Sequence, residues 1–275
     1  MPVSGPTVVR RQLGRRLQRL REAAGKTAVQ VEEARLASRT KVWRIEAGKV
    51  PVRVPDVWAL CRFYEAAADQ TEALATLAVG TSEQGWWEEY GELVPDWFKL
   101  YVGLETAASR IQTFEDGVVP GELQTAEYAR AVYRAAQPED DQDAIDRHIR
   151  LRLDRQKALF SRTPSPELVI VLGESVLRRR VGGKAGQAAQ LAHLRELDQR
   201  DNTEIRFLPY DIGAHAAMTG AFRIIDFDDH EDPDVVYLEA QVGARYLEKP
   251  AELAEYRRVF DLVYKHAVPI GEYKP

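Results

Sequence analysis

Four side chains able to bind anions are clustered near the N-terminus of the chain, at Arg39, Thr40, Lys41 and Arg44. Ser38 comes directly before them and suits the N-cap of a helix, where free N–H groups and the positive end of the helix dipole attract anions. Val42 and Ile45 are three positions apart, so they can pack on one core face while the polar side chains face outward. Such a helix can place guanidinium, ammonium and hydroxyl groups against the phosphates and base edges of a DNA major groove.

Another short helix is predicted just before this one, with a tight turn between the two. Thr27 is a good N-cap for it, and Val31 and Ala34 are expected to point inward. We expect Thr27, Ser38 and Lys49 to hold phosphates at helix ends and to fix the register, whereas the clustered side chains face the bases. The predicted DNA-binding residues are Thr27, Ser38, Arg39, Thr40, Lys41, Arg44 and Lys49.

The second of these helices resembles the recognition helix of the XRE class of helix-turn-helix regulators, the phage-repressor-like family. The resemblance rests on the string S-R-T-K-V-W-R-I-E-A-G-K, from Ser38 to Lys49, and above all on its I-E-x-G-K ending. Leu13 to Thr27 resembles that family's first helix and the entry to its second. Two positions depart from the family pattern. Glu32 stands where a small Ala is usual, at the closest approach of the two helices, and Leu36 replaces the glycine common at the turn. The resemblance implies binding to double-stranded DNA.

Charge is divided unevenly along the chain of 275 residues, whose formal net charge is −5. Residues 1 to 53 contain thirteen Arg and Lys against four Glu, a net charge of +9, which leaves −14 for the remainder. A basic end attracts phosphates and an acidic remainder is repelled by them. This asymmetry favours a basic DNA-binding domain, or head, followed by a separate acidic domain.

Hydropathy and cysteine content limit the class of protein. With 45% hydrophobic and 29% charged residues, the composition is that of a globular chain. No apolar run approaches the roughly 18 residues of a membrane-spanning helix, and the N-terminus lacks an apolar signal core. The single Cys61 rules out an intrachain disulfide. We therefore expect a cytoplasmic protein with no membrane partner.

Helical periodicity predicts five helices that end near residue 79. Pro51 and Pro55 stiffen the loop after the recognition helix and predict a new helix near Pro55. A break at Gly80 to Gly85 then predicts two domains. Residues 1–80 would form the helix-turn-helix DNA-binding domain, and residues 81–275 a domain for ligand sensing or partner binding that also mediates dimerisation.

Six aromatic residues follow this break within sixteen positions, and they could form a ligand cage or could pack one domain on the other. They are Trp86, Trp87, Tyr90, Trp97, Phe98 and Tyr101. A helix is predicted to continue through Ile111, with Glu105 on its more polar face. A later helix, residues 143–160, carries four arginines that could bind an acidic or phosphate ligand. We interpret them as a solvated face paired with Asp146 and Asp154. These arginines are Arg147, Arg150, Arg152 and Arg155.

Beyond residue 167 the pattern changes to short runs rich in β-branched and aromatic residues, which predict strands. Four are expected, LVIVLG, EIRFLP, FRIIDF and VVYLEA, beginning at Leu168, Glu204, Phe222 and Val235. Helices are predicted at 185–200 and 251–267. The predicted fold class is α+β. An N-terminal all-α, phage-repressor-like helix-turn-helix domain precedes a larger domain of helices packed on a small mixed β-sheet.

The C-terminal half resembles an actinobacterial family that joins an XRE head to an uncharacterised domain. The resemblance rests on V-P-G-E-L-Q-T-A-E-Y-A-R from Val119, R-L-x-R-Q from Arg152, E-S-V-L-R-R from Glu174 and L-P-x-x-x-G-A-H from Leu208. Glu122 stands where Leu would be expected. The resemblance implies an antitoxin-like regulator, usually encoded beside a small partner protein, and no agreed ligand.

Patterns typical of catalysis or metal binding are incomplete. The VGGKAG stretch lacks the spacing of a phosphate-binding loop, and the acidic run at 226–234 lacks the glycine and closing glutamate of a calcium loop. A site formed by His215, Glu174 and Glu239 is conceivable, but a structural histidine is the preferred interpretation. We predict no catalytic residue, no metal site, no cofactor and no enzymatic activity.

Together these patterns predict a sequence-specific transcriptional regulator whose C-terminal domain responds to a ligand or to a small partner protein. One head contacts only a few base pairs, so we expect a homodimer on an inverted-repeat operator with half-site centres about 34 Å apart or a multiple of it. The alternative is an antitoxin-type interaction module that neutralises a small partner and binds DNA only to autoregulate.

Overall fold

The computed structural model describes residues 6–81, 86–228 and 233–274. Within these ranges the chain divides into two compact units, an N-terminal unit up to Glu89 and a C-terminal unit from Tyr90 onward. The predicted linker falls mainly on residues 82–85, and part of the acidic run at 226–234 falls on residues 229–232; both lie outside the described residues. The predicted domain limits, 1–80 and 81–275, stay a prediction.

The N-terminal unit contains the five expected helices. They are α1 (Pro6–Ala23), α2 (Ala28–Glu33), α3 (Arg39–Glu46), α4 (Val54–Phe63) and α5 (Ala68–Gly80). Leu13 and Leu17 of α1, Val31 of α2 and Ile45 of α3 are buried in one core. The expectation that Ala34 points inward is wrong, because α2 ends at Glu33 and Ala34 is exposed at its C-cap.

The C-terminal unit combines helices with a sheet. Its helices are α6 (Asp96–Ala107), α7 (Ala126–Ala136), α8 (Gln142–Phe160), α9 (Glu174–Arg178), α10 (Gly183–Leu197) and α11 (Pro250–His266). Its strands are β1 (Arg110–Glu115), β2 (Glu167–Gly173), β3 (Thr203–Leu208), β4 (Phe222–Asp226), β5 (Val235–Glu239), β6 (Ala244–Leu247) and β7 (Val268–Pro269). The predicted fold class is confirmed.

The sheet has the strand order β6-β5-β4-β1-β2-β3-β7 and is mixed. β1 is parallel to β2, which is parallel to β3, while the remaining neighbours are antiparallel. The four predicted strands correspond to β2–β5. The prediction of a helix through Ile111 is wrong, because α6 ends at Ala107 and β1 begins at Arg110. Pairing with β2 on one side and β4 on the other decides this conformation, which local propensity does not reveal.

The two faces of the sheet meet different helices. Phe222 and Ile224 of β4 belong to an apolar core that includes Phe260 of α11. The alternate residue, Arg223, lies on the opposite face and donates a hydrogen bond to the hydroxyl of Tyr101 in α6. That second face therefore buries charge as well as apolar surface.

Charged side chains of the C-terminal unit are buried where polar, solvated faces were predicted. Glu105 is only 2% exposed and Arg155 only 7%. The Arg155 guanidinium donates to both carboxylate oxygens of Glu105, from Nε at 2.7 Å and from Nη2 at 2.6 Å. The interpretation of Arg155 as part of a solvated face is wrong, since its partners lie on α6 and near residue 122.

None of the helices in the described ranges combines the length and the apolar character that crossing a bilayer requires.

Candidate nucleic-acid interface

Helix α3 is anchored to the core along one side and capped at its N-terminus. Val42 and Ile45 are buried, as their spacing predicted. The Ser38 hydroxyl oxygen accepts a hydrogen bond from the Lys41 backbone N–H at 3.2 Å, which confirms the predicted N-cap. Such a cap satisfies one of the free N–H groups at the start of the helix and leaves others available.

Two glycines allow α3 and α1 to approach closely. A Cβ added at Gly14 of α1 would lie 2.8 Å from the carbonyl oxygen of Glu46. A Cβ added at Gly48 would lie 2.8 Å from Cα of Arg11, and Gly48 also adopts a positive φ of 65° as the chain leaves α3. The glycine of the I-E-x-G-K ending is therefore required both by backbone conformation and by packing.

The glutamate of the same ending fixes the C-terminal end of α3. Glu46 accepts two hydrogen bonds from Arg21 of α1, at 2.6 Å from Nε and at 2.9 Å from Nη2. Both side chains are largely buried, and the hydrogen bonds to Glu46 raise the pKa of the Arg21 guanidinium. This bidentate pair stabilises the position of α3 rather than contacting DNA.

The outward side of α3 presents a continuous polar arc. At about 100° per residue, Arg39, Trp43, Thr40 and Arg44 occupy roughly 140° of the helix circumference, opposite the buried side. All four are exposed. Trp43 was not among the predicted site residues, although it lies four positions after Arg39 and three after Thr40. Its indole is 57% exposed, so it adds an apolar surface able to contact a thymine methyl group.

Two of the predicted cations already have carboxylate partners. The Arg39 Nε lies 2.9 Å from Glu32 Oε2, and the other oxygen of Glu32 accepts the Arg39 backbone N–H at 3.2 Å. The Lys41 Nζ donates to Asp56 of α4 at 3.0 Å, which places Lys41 at the edge of the exposed arc. Glu32 therefore places its carboxylate at the start of α3, at the positive end of the helix dipole.

The two remaining predicted residues lie at helix ends. The Lys49 Nζ lies 4.3 Å from the centre of the Trp43 ring, so the ammonium group is placed beside the exposed arc. Thr27 caps α2 in a reciprocal arrangement with Gln30, which confirms the predicted N-cap. The Thr27 hydroxyl also donates to the Gln30 side chain at 3.2 Å. Whether any of the seven predicted residues contacts DNA stays a prediction.

The turn between α2 and α3 contains a residue with a positive φ, Arg35, at 58°. Leu36, which replaces the glycine common at this turn in the XRE class, has no positive φ. Leu36 instead packs against the core of the N-terminal unit. Glu32 is exposed, so its carboxylate meets α3 from the solvent side.

The two carboxylates of the site considered at His215, Glu174 and Glu239 are both hydrogen-bonded within the C-terminal unit. Glu174 accepts hydrogen bonds from the Arg178 side chain at 2.6 Å and from the Tyr210 backbone N–H at 2.7 Å. Glu239 accepts from the Tyr237 hydroxyl at 3.1 Å. Over the described ranges, no three His, Cys, Asp or Glu side chains are grouped so that they could hold a metal ion.

Comparison with protein families identifies both units. Residues 12–74 match a helix-turn-helix domain, the class of fold that places its second helix in the DNA major groove. Residues 98–272 match a domain of unknown function, DUF5753, which is more than half of the chain. No curated protein and no solved structure matches the chain. The chain therefore belongs to the family defined by the DUF5753 domain and carries a helix-turn-helix domain in front of it.

Proposed function

We propose that the protein is a sequence-specific, DNA-binding transcriptional regulator that acts in the cytoplasm and has no catalytic role. The observation that carries the proposal is the exposed arc of α3. Its cationic and polar side chains face solvent, while the buried side of the helix and the Glu46–Arg21 pair hold it against α1. A rigid helix with such a face can enter a major groove without rearrangement of its backbone.

Within this proposal, the side chains of α3 divide into two roles. Arg44, Thr40 and Lys41 would face base edges, and Arg39 would do so after releasing Glu32. Ser38, Thr27 and Lys49 would contact phosphates at helix ends, which fixes the register without reading sequence. Trp43 would add an apolar contact beside Lys49.

The proposed oligomeric state rests on the small size of the helix-turn-helix domain, and the proposed response to a partner rests on the resemblance of the C-terminal half to the actinobacterial family. A single head covers one half-site, so we propose a homodimer on an inverted-repeat operator, with the C-terminal unit responding to a ligand or a small partner protein encoded nearby. The antitoxin-type module is the rival proposal. Co-expression with the neighbouring small protein separates them: rescue from toxicity favours the antitoxin, whereas a change in operator affinity without toxicity favours the regulator.

Selection of bound sites from random double-stranded DNA by the purified full-length protein tests the proposal. We expect an enriched inverted repeat and two chains per selected site. The Arg44→Ala variant should select a less defined motif, whereas the control Arg147→Ala, which removes the same charge from the exposed side of α8, should select the wild-type motif. Recovery of no enriched sequence at low salt would refute sequence-specific binding.

A further inference from the structure

A cavity of about 250 Å³ lies in the C-terminal unit beside α8. We call it the α8 cavity. Aromatic and apolar side chains form much of its lining, and two arginines, Arg152 and Arg155, contribute to it. The lining also includes Trp97, Phe98, Tyr133, His148 and Glu239. The Tyr133 and His148 rings, which both line the cavity, are stacked with their centres 4.5 Å apart.

A buried cluster of charged side chains lies at the wall of the cavity next to the sheet, and its positive and negative charges are equal in number. Arg155 pairs with Glu105 and donates to Glu122 at 3.1 Å. Arg223 also donates to Glu122 at 3.1 Å. Burial alone would raise the pKa of Glu122, but Arg223 and Arg155 outweigh it and hold the pKa below its usual value. Two guanidinium groups therefore face two carboxylates, and this cluster needs no further anion.

Arg152 forms no ion pair with the carboxylates of this cluster, although it lies only three positions before Arg155 on α8. Among the described residues, its guanidinium makes no hydrogen bond and no ion pair. Burial lowers the pKa of Arg152 to about 10, and the neighbouring charge of Arg155 adds to this effect, while the carboxylates of Glu122 and Glu239 partly oppose it. A Cβ on Gly121 would lie 2.5 Å from Arg152 Nη1, so the backbone at Gly121 limits movement of the guanidinium. A half-buried guanidinium that forms no hydrogen bond and no ion pair with a described residue is incompletely compensated, and a ligand anion in contact with it would complete the compensation.

The other polar groups of the cavity limit the charge of such a ligand. Glu239 also lines the cavity, and its carboxylate is already hydrogen-bonded to the Tyr237 hydroxyl. The Tyr133 hydroxyl is occupied too, since it donates to Asp140 at 2.6 Å. Arg155 in the lining is already paired with Glu105, so a single negative charge is favoured only in contact with Arg152, and Glu239 would repel the second charge of a dianion such as a phosphate monoester. Planar carboxylate matches guanidinium geometry through two parallel hydrogen bonds.

We propose that the α8 cavity binds a small, flat organic monoanion, whose carboxylate pairs with Arg152 and whose apolar ring system packs against Trp97 and Phe98. The cavity volume admits one fused-ring molecule rather than a drug-sized ligand or a peptide. This site deepens the proposed function, because it supplies the C-terminal unit with the ligand to which the regulator responds. Ligand binding at the cavity does not itself require DNA, so the two proposals can fail separately.

Calorimetric titration of the full-length protein with 2-naphthoate, in the absence of DNA, tests the site. We expect one binding event per chain and at least roughly tenfold weaker binding of 2-naphthamide, which has the same shape without the charge. The Arg152→Gln variant should lose a similar factor for 2-naphthoate, whereas Arg152→Lys should keep part of the affinity. The control is Arg150→Gln, an exposed position of the same helix, which should leave the affinity unchanged.

A thermal unfolding measurement of each variant accompanies the titration. Because Arg152 forms no hydrogen bond and no ion pair with a described residue, Arg152→Gln should fold, and its melting temperature should lie close to that of the wild type. Equal affinity of the wild type and Arg152→Gln for 2-naphthoate, equal affinity for the naphthoate and the amide, or no binding of 2-naphthoate to the wild type would each overturn the proposal. None of these results would alter DNA selection by the same samples, which tests the proposed function independently.

Discussion

Helices α3 and α8 both carry arginines three to five positions apart, and they use them in opposite ways. On α3, Arg39 and Arg44 are exposed, and the Arg39–Glu32 pair stands at the surface. On α8, Arg155 is buried and pairs with carboxylates that are buried as well. An exposed ion pair contributes only about 0–1 kcal/mol, so α3 can exchange its carboxylate for a phosphate. A buried pair cannot be exchanged, because the remaining charge would be left uncompensated.

The largest effect should follow from breaking the buried cluster. Arg155→Gln should lower the free energy of unfolding by about 3–5 kcal/mol, because Glu105 and Glu122 would lose their shared partner. Urea denaturation followed by tryptophan fluorescence measures the change. The control Arg150→Gln should shift stability by less than about 0.5 kcal/mol. Equal urea midpoints for Arg155→Gln and Arg150→Gln would show that the buried arginine contributes no more to stability than the exposed one.

The same cluster should make stability depend on acid. The pKa of Glu122 is lower in the folded protein than its usual value of 4.5. Its contribution is therefore fully present above that value and is lost as the pH falls through the folded pKa. Wild type should lose more stability than Glu122→Gln when the pH is lowered from about 5.5 to about 3.5. Parallel losses in the two proteins would assign the acid sensitivity to other carboxylates.

On α3 the expected effects concern binding rather than folding. Arg44→Ala should weaken operator binding by about 1–3 kcal/mol and relax the base preference at one position of each half-site, if its guanidinium contacts a guanine through two hydrogen bonds. Quantitative footprinting on the selected operator and on single-base variants measures both effects. An unchanged footprint would remove Arg44 from the set of base-reading residues.

Lys49→Ala should have a smaller and less selective effect. A phosphate contact carries no sequence information, so all duplexes should be bound more weakly by a similar factor, and the slope of log K against log salt should become less steep by about one. Binding titrations at several salt concentrations measure the slope. A loss confined to particular sequences would instead place Lys49 against a base.

The smallest expected effect is a gain in DNA affinity rather than a loss. Glu32→Ala should strengthen DNA binding by a few tenths of a kcal/mol, because Arg39 and the start of α3 would no longer be occupied by a carboxylate. The matched control is Glu33→Ala, at the neighbouring exposed position of α2, which should have less effect. Weaker binding by Glu32→Ala would mean that Glu32 positions Arg39 for DNA.

The contrast between α3 and α8 also explains what could be predicted from the sequence. Helix α3 and its cap were predictable, because the Ser38 cap and the spacing of Val42 and Ile45 are local signals. The partners of Arg155 are 50 positions away at Glu105 and 33 away at Glu122, so local charge pattern could not reveal its burial. The replacement of an expected Leu by Glu122 was the one sequence signal of a buried charge in this region.

Strand β1 and Trp43 escaped prediction for related reasons. The sequence of β1 contains Gln112 and Thr113, polar residues that are buried in a strand lying inside the sheet, between β2 and β4. Trp43 has the residue type of a core position, and only its spacing from Arg39 and Thr40 indicates the exposed arc. In both cases the tertiary environment decides what residue type alone leaves open.

The contact between α1 and the end of α3 at Gly14 and Gly48 has a consequence for engineering. Since backbone meets backbone there, the tilt of α3 is set by positions that lie outside the exposed arc. A library that randomises Arg39, Thr40, Trp43 and Arg44 should therefore consist largely of folded members with the same helix placement. New operator preferences could be selected from such a library without redesign of the scaffold.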